Sequence, residues 1–344
     1  MTKIITLDTL RAERRKGTIT EVVPFSVNGE MLTLEKKIMN GEMETFELAE
    51  PAGEMMTSGS LAKFKDLMRK VVLDVELGRE EVPLLYKPIY QLLSDSSMPR
   101  VLDAKWAVYG TVVFSEHIEG EEVKFGSLQA EHGPIARVLT LTAGFEFTKE
   151  MKDFNDFFSV EILNRAMGEA YNAKLNHMHL NPIISYKYKD QNKTTYQGTE
   201  EDSVWIGMWK TLNKALSDTR VKKRLGTILL ASSLDKDNIE MALKGGYTIN
   251  GTTYPAVSGI ESVIYYDGWE TQVGRKKYEY QGVEKGKAYL IRPKRGFKEL
   301  LKRDLTIEST AADLSRLVES QIVGYAYRGT YAAIDENVQE ISFE

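Results

Sequence analysis

The sequence predicts a mixed α+β protein built from more than one structural region, and three observations carry that expectation. A strand-like run, residues 135–147, leads into a long segment whose apolar residues recur at helical spacing. The apolar run Thr227 to Ala231 is followed by Ser232 and Ser233, then by a second helical pattern that stops at Gly245 and Gly246. Strand character returns at residues 305–308 and 321–334. The 344 residues exceed one ordinary domain, and a 42% hydrophobic share suffices to bury a core.

Residues 1–57 read as an arm, with single charges, glycines and short β-prone runs at 19–23 and 31–34 but no long apolar face. Leu61, Phe64, Leu67, Met68, Val71, Val72 and Val75 then predict a helix, capped by Ser58 or Ser60 and ended by Gly78. A shorter apolar pattern at residues 82–93 predicts a second helix, which Pro88 has to break or kink. Residues 104–118 and 135–147 read as long strands, with the charged stretch around Gly120 as a hairpin turn between them. The long helix covers residues 155–179, with Phe154, Phe158, Ile162, Ala166, Ala170 and Ala173 along one side and Pro182 just past its end.

Residues 187–199 are polar and aperiodic, which predicts a linker or flexible loop. Val204, Met208, Leu212, Ala215 and Leu216 mark the next helix, and Trp205 and Trp209 share one of its faces as core residues. Further strands are expected at residues 256–266 and 288–292, and at 276–280 with Tyr278 and Tyr280 on one packed face. Thr310 and Asp313 have capping-box spacing for a short helix before the final strand. No internal repeat is present.

Composition removes several function classes. With no cysteine there are no disulfides and no thiolate metal sites, which fits synthesis in a reducing cytosol. No run of about 18 apolar residues predicts a membrane span, and the first residues lack the apolar core of a signal peptide. The net charge of −5 argues against a general nucleic-acid binder. That average hides an asymmetry: residues 275–303 hold eleven Lys or Arg against three Glu, a local charge of +8.

Of the histidines His117, His132, His177 and His179, the last two are spaced by two, which points them to different sides of a helix and is poor metal geometry. There is no nucleophile elbow, zinc-protease helix, Walker loop or dinucleotide-binding glycine motif. Glu200, Glu201 and Asp202 fit the acidic start of a helix rather than a catalytic pair. No cofactor is implied.

Three stretches carry a resemblance to a known family. Residues 136–175 (ARVLTLTAGFEFTKEMKDFNDFFSVEILNRAMGEAYNAKL) run from a strand through a polar turn into the long helix. Residues 226–246 (GTILLASSLDKDNIEMALKGG) place a buried strand before a helix that opens on small polar residues. Residues 303–343 bring the chain back on an extended, tyrosine-containing segment. Together they resemble the major capsid proteins of tailed bacteriophages, the Hong-Kong-97-like fold also used by encapsulin shells. The resemblance implies an arm at 1–57, a helical elaboration at 58–103, an extended β-hairpin loop at 104–135, a peripheral domain with a spine helix at 136–199, an axial α/β domain at 200–302 and a return to the peripheral domain at 303–344.

The resemblance further implies a noncatalytic structural protein that self-assembles as pentamers and hexamers into an icosahedral head shell in the virion, formed in the host cytoplasm. Scaffold, portal and decoration proteins are possible partners, with at most nonspecific contact to packaged DNA and none to a membrane. An encapsulin-like compartment around a cargo enzyme is the first alternative, since fold alone does not fix function. A soluble α/β enzyme with an unrecognised site is the second. For assembly, the acidic Glu116, Glu119, Glu121 and Glu122 stand against the basic Arg275, Lys276, Lys277, Lys294 and Arg295 as candidate intersubunit contacts. Either the two groups meet between subunits, or both are solvated faces worth little, or the basic segment faces DNA.

Overall fold

In the computed structural model the described residues are 18–27, 30–39, 42–43, 61–102, 136–148, 157–249, 251–273, 275–310 and 318–344. The strands in chain order are β1 Thr18–Val27, β2 Glu30–Met39, β3 Glu42–Met43, β4 Gln91–Ser94, β5 Val101–Leu102, β6 Ala136–Thr148, β7 Lys193–Thr194, β8 Ile228–Ala231 and β9 Tyr247–Ile249. They continue as β10 Thr252–Tyr254, β11 Ser262–Tyr265, β12 Gly268–Val273, β13 Lys276–Gln281, β14 Lys287–Ile291, β15 Phe297–Thr310, β16 Val318–Ala332 and β17 Val338–Ser342. The helices are α1 Leu61–Glu81, α2 Phe157–Ile184, α3 Val204–Val221, α4 Lys236–Lys244 and α5 Ile334–Asn337. The protein is therefore mixed α+β, as the sequence predicts. The predicted loop at 104–135 and the capping box at Thr310 and Asp313 lie outside the described residues, apart from the backbone of Thr310 at the end of β15.

The chain divides into two compact units, each assembled from three stretches: 1–83, 140–174 and 303–327 in the first; 84–139, 175–302 and 328–344 in the second. In the first unit, β1 and β2 pair antiparallel from Thr18↔Met39 to Val27↔Glu30. The two residues between them are Asn28 and Gly29, a strong pair for a tight hairpin. The β-prone runs expected in an arm thus belong to a hairpin, which joins β15 in parallel at Ser26↔Glu308.

The first helix does not stop at Gly78 but continues to Glu81. A glycine inside a helix costs only about 1 kcal/mol, and here it permits a close helix crossing. A Cβ at Gly78 would lie 2.0 Å from the Arg165 carbonyl oxygen on α2, and one at Gly168 would lie 2.0 Å from that of Val75. Leu67, Met68, Val71, Val72 and Val75, residues whose spacing predicts the helix, are all buried. On α1, Lys70 donates to the buried Asp74 at 2.6 Å and Arg79 to the buried Glu76 at 2.6 Å. Asn172 caps the end of α1 by donating to the carbonyls of Arg79 and Val82.

In the second unit, residues 84–90 form hydrogen-bonded turns, followed by β4, rather than the helix expected over 82–93. Pro83 and Pro88 deny the helical N–H at both ends of this stretch. The N–H groups of Ile89 and Tyr90 bond instead to the Tyr86 carbonyl. The long helix runs past Pro182 to Ile184. Only the last turn follows the proline, and Ser185 completes it by donating its N–H to Asn181 at 2.8 Å.

The centre of this unit is a five-stranded sheet in the order β11-β8-β14-β17-β7. Strand β8 is fully buried, as its unbroken apolar sequence predicts. Leu229 and Ala231 from β8 and Leu290 from β14 pack with Leu212 and Leu216 of α3 and Ile239 of α4. Trp205 and Trp209 do share a helical face, and both pack against Tyr254. The Trp209 indole N–H donates to the Pro255 carbonyl at 2.7 Å. Ser232 caps the turn before α4, and Gly245 (φ 56°) and Gly246 (φ 82°) end that helix in the left-handed region.

The segment 187–199 is not a loose linker. Its β7 pairs with β17, Tyr188 donates to the Ile183 carbonyl at 2.8 Å, and Asn192 donates to the Asp335 carbonyl at 2.8 Å. Its buried polar side chains find partners within the unit, so a polar sequence packs without an apolar period.

Candidate assembly surfaces

The five candidate cations fall at two places in the second unit. Arg275 lies at the tip of the β12–β13 hairpin, and Lys276 and Lys277 open β13. The Lys276 ammonium sits 4.9 Å over the exposed Tyr278 ring. Lys277 bonds across the hairpin to Glu270 at 2.8 Å and lies 3.6 Å from Glu279. The bond to Glu270 raises the Lys277 pKa.

Lys294 and Arg295 occupy the turn between β14 and β15. Lys294 takes a left-handed φ of 65° and donates its N–H to the Ile89 carbonyl at 2.7 Å. The hairpin feeds the start of β14 and this turn leaves its end, so the two groups are separated along the chain by a strand roughly 16 Å long. Charge is also neutralised locally, as Lys287 pairs with Glu284 at 2.6 Å. Glu116, Glu119, Glu121 and Glu122 lie outside the described residues.

Tyr280, but not Tyr278, is packed. It stacks on His177 with ring centroids 4.4 Å apart and meets Trp269 at 5.6 Å. Tyr278 shares that strand face but is 43% exposed, because its cross-strand partner is Thr271 whereas Tyr280 faces Trp269.

His177 and His179 enter different surroundings, as a spacing of two on a helix requires. His179 is fully buried and stacks on Tyr86, with centroids 3.8 Å apart and planes 5° from parallel. Its Nδ1 meets the Leu175 carbonyl at 2.8 Å, while Nε2 is buried without a partner among the described residues. Burial lowers its pKa to about 4, against the opposing bond to Leu175 and with Arg328 lowering it further. The imidazole is thus neutral near pH 7, with Nδ1 as donor.

Tyr86 links this histidine to a buried ion pair that the sequence did not reveal. Its hydroxyl donates to Glu299 at 2.7 Å, and Arg328 bonds the same carboxylate oxygen. Glu299 and Arg328 are each 5% exposed. They lie 29 residues apart on β15 and β16, so no local spacing marks them as partners.

An open cleft of about 640 Å³ lies in the same unit, lined by Ser232, Leu234, Asp267, Glu279, Lys287 and Tyr289 among others. Asp267 accepts from the Ser232 hydroxyl at 3.0 Å and from the Ser233 N–H at 2.8 Å. These bonds secure the turn before α4. Asp202, at the acidic start predicted for α3, accepts from Lys210 at 2.6 Å and from the Thr199 N–H at 2.7 Å. The Lys210 bond, with those from Thr199, holds its pKa at about 2. Among the described residues no three His, Asp or Glu side chains gather to hold a metal. No helix among them is long and apolar enough to cross a membrane.

No family model matches the chain, and no curated protein matches it significantly in sequence. Solved structures do match its fold. One is a virus-like particle from Pyrococcus furiosus, at 12% identity and a TM-score of 0.48, covering 81% of this chain and 99% of that one. Another is the capsid of Myoviridae phage XM1, at 8% identity and a TM-score of 0.48, covering 76% and 92%. A third is the holo-SrpI encapsulin complex from Synechococcus elongatus, at 9% identity and a TM-score of 0.46, covering 77% and 89%. The chain is similar to phage capsid and encapsulin structures over most of its length.

Proposed function

We propose that this chain is a shell-building subunit, the major capsid protein of a tailed phage, forming pentamers and hexamers of an icosahedral head. The observation that carries this reading is the order of its elements. A 13-residue strand precedes a 28-residue helix, an α/β unit with a fully buried inner strand follows, and the chain returns through two strands of 14 and 15 residues. In this reading residues 1–57 are the arm, 58–103 the helical elaboration and 104–135 the extended loop. Residues 136–199 with 303–344 form the peripheral domain, and 200–302 the axial domain. The protein would reside in the virion after assembly in the host cytoplasm, and its contacts would be heterologous, closing by rotation into rings.

Negative-stain electron microscopy of the purified chain, with sedimentation alongside, tests the proposal. Closed shells or isolated five- and six-membered rings are expected. A monomer or small dimer at every salt concentration, with and without a co-expressed scaffold, would overturn it. Shells that capture an enzyme during expression would favour the compartment over the virus.

A further inference from the structure

The end of α3 runs into the sequence Arg220-Val221-Lys222-Lys223-Arg224-Leu225, with four cations in five residues and no acid among them. Helix C-termini favour cations through the macrodipole, which accounts for Arg220 in the last turn. It does not account for Lys223 and Arg224, which lie beyond the helix. Lys223 is a non-glycine residue at φ 57°, and its N–H donates to the Arg220 carbonyl at 2.8 Å. The Arg224 N–H closes on the Thr219 carbonyl at 2.9 Å. These bonds fold the four charges into one tight turn.

None of the four forms an ion pair among the described residues, whereas neighbouring lysines do: Lys189 with Asp335, Lys210 with Asp202, Lys214 with Asp218. Asp218, the nearest acid in sequence, is taken by Lys214 and by the Thr194 hydroxyl. Lys222 bonds only neutral oxygens, those of Gln191, Asn192 and Gln339. Burial lowers its pKa, the Asp218 carboxylate opposes that, and Arg224 and Lys214 lower it further. The turn thus holds like charges together against their own repulsion. Arg220, Lys223 and Arg224 are exposed, as are Val221 at 80% and Leu225 at 38%.

We infer that this turn is a binding surface for the phosphate backbone of nucleic acid. An array of cations on a projecting turn suits a sugar-phosphate chain, which needs charge and spacing but no pocket. Arginine adds a planar donor fork that fits phosphate. An acidic protein is the less suited partner, because its carboxylates are scattered whereas a nucleic-acid backbone presents closely and regularly spaced phosphates. The inference is independent of shell formation.

The test measures binding of a fluorescent 30-base-pair DNA duplex to the full chain by anisotropy, across a salt series. The variant R220Q/K223Q/R224Q should bind about tenfold or more weakly at low salt, with a log–log salt slope shallower by about 2 to 3. R275Q/K276Q/K277Q removes the same charge elsewhere and should stay within about twofold of the parent. Circular dichroism confirms that both variants fold. Equal losses in the two variants, or no loss in the first, overturn the inference. So does polyglutamate that competes at equal charge concentration as well as unlabelled duplex, which would assign the turn to an acidic protein. Microscopy of the same variants reads shell formation separately.

Discussion

His179 can take up a proton only at a cost, because it is sealed between Tyr86, Tyr90, the Leu175 carbonyl and the field of Arg328. Its folded pKa of about 4 lies below the ordinary histidine value, so between about pH 6.5 and pH 4 the unfolded chain binds a proton that the folded chain does not. Its contribution to stability is therefore complete above about pH 6.5 and lost as the pH falls to about 4, by about 3 kcal/mol. Urea unfolding across that range should show this fall, and His179→Phe, which keeps a ring against Tyr86, should flatten it. An unchanged slope in the variant would assign the acid sensitivity elsewhere. The buried pair beside it gives a second expectation. Arg328→Met should cost about 3–5 kcal/mol by stranding the Glu299 charge, and adding Glu299→Leu should recover much of that. A double-mutant cycle on unfolding free energies reads this directly. If the double variant were no more stable than Arg328→Met, the stranded charge would not be the cause. Neither His179 nor the ion pair was legible as a cluster in the sequence, because its members are far apart along the chain, with 213 positions between Tyr86 and Glu299.

Among the elements, the helix crossing at Gly78 and Gly168 is the most constrained. Both glycines face backbone rather than a movable side chain, so an added methyl group forces the helices apart. Gly168→Ala should destabilise the chain by about 1–3 kcal/mol despite the better helix propensity of alanine. Ala170→Gly, on the same helix, should cost about 1 kcal/mol from propensity alone. Thermal unfolding compares them, and stabilisation by Gly168→Ala would exclude the tight crossing. Most elements were legible because their apolar residues keep a helical or alternating period. The exceptions share a physical origin. Gly78 reads as a stop signal, yet the same missing side chain allows close packing. Residues 187–199 read as a loop because polar residues that pair in the interior look like polar residues in water. Pro182 reads as a terminator, but it disturbs only the final turn it enters.

At the level of the whole molecule, charge and assembly are linked. If the acidic residues near 116–122 meet a basic surface on a neighbouring subunit, Glu121→Lys with Glu122→Lys should slow shell formation and invert its dependence on salt. Light scattering during assembly measures both, and a reciprocal change at Arg275 and Lys276 should restore the rate. Assembly of the acidic-segment variant at the parental rate and salt response would remove this contact from consideration. The structure narrows the candidates: Lys277 is already engaged by Glu270, while Lys294 and Arg295 leave from the other end of β14. The five candidate cations thus form two separate groups along the chain. A more concentrated array, at Arg220 to Arg224, is hidden in any count over long windows by the acids that precede it.

By itself the sequence determined the mixed α+β class, the long strand-to-helix run, the buried β8 with its capped helix, and the tryptophan face of α3. These depend on periodicity and on capping residues within a few positions, which a linear reading can see. Only the tertiary structure decided which polar residues are buried, which glycines touch another helix and which cations form no ion pair among the described residues. Burial, close approach and neutralisation depend on groups brought together from distant parts of the chain, and residue spacing carries no record of them.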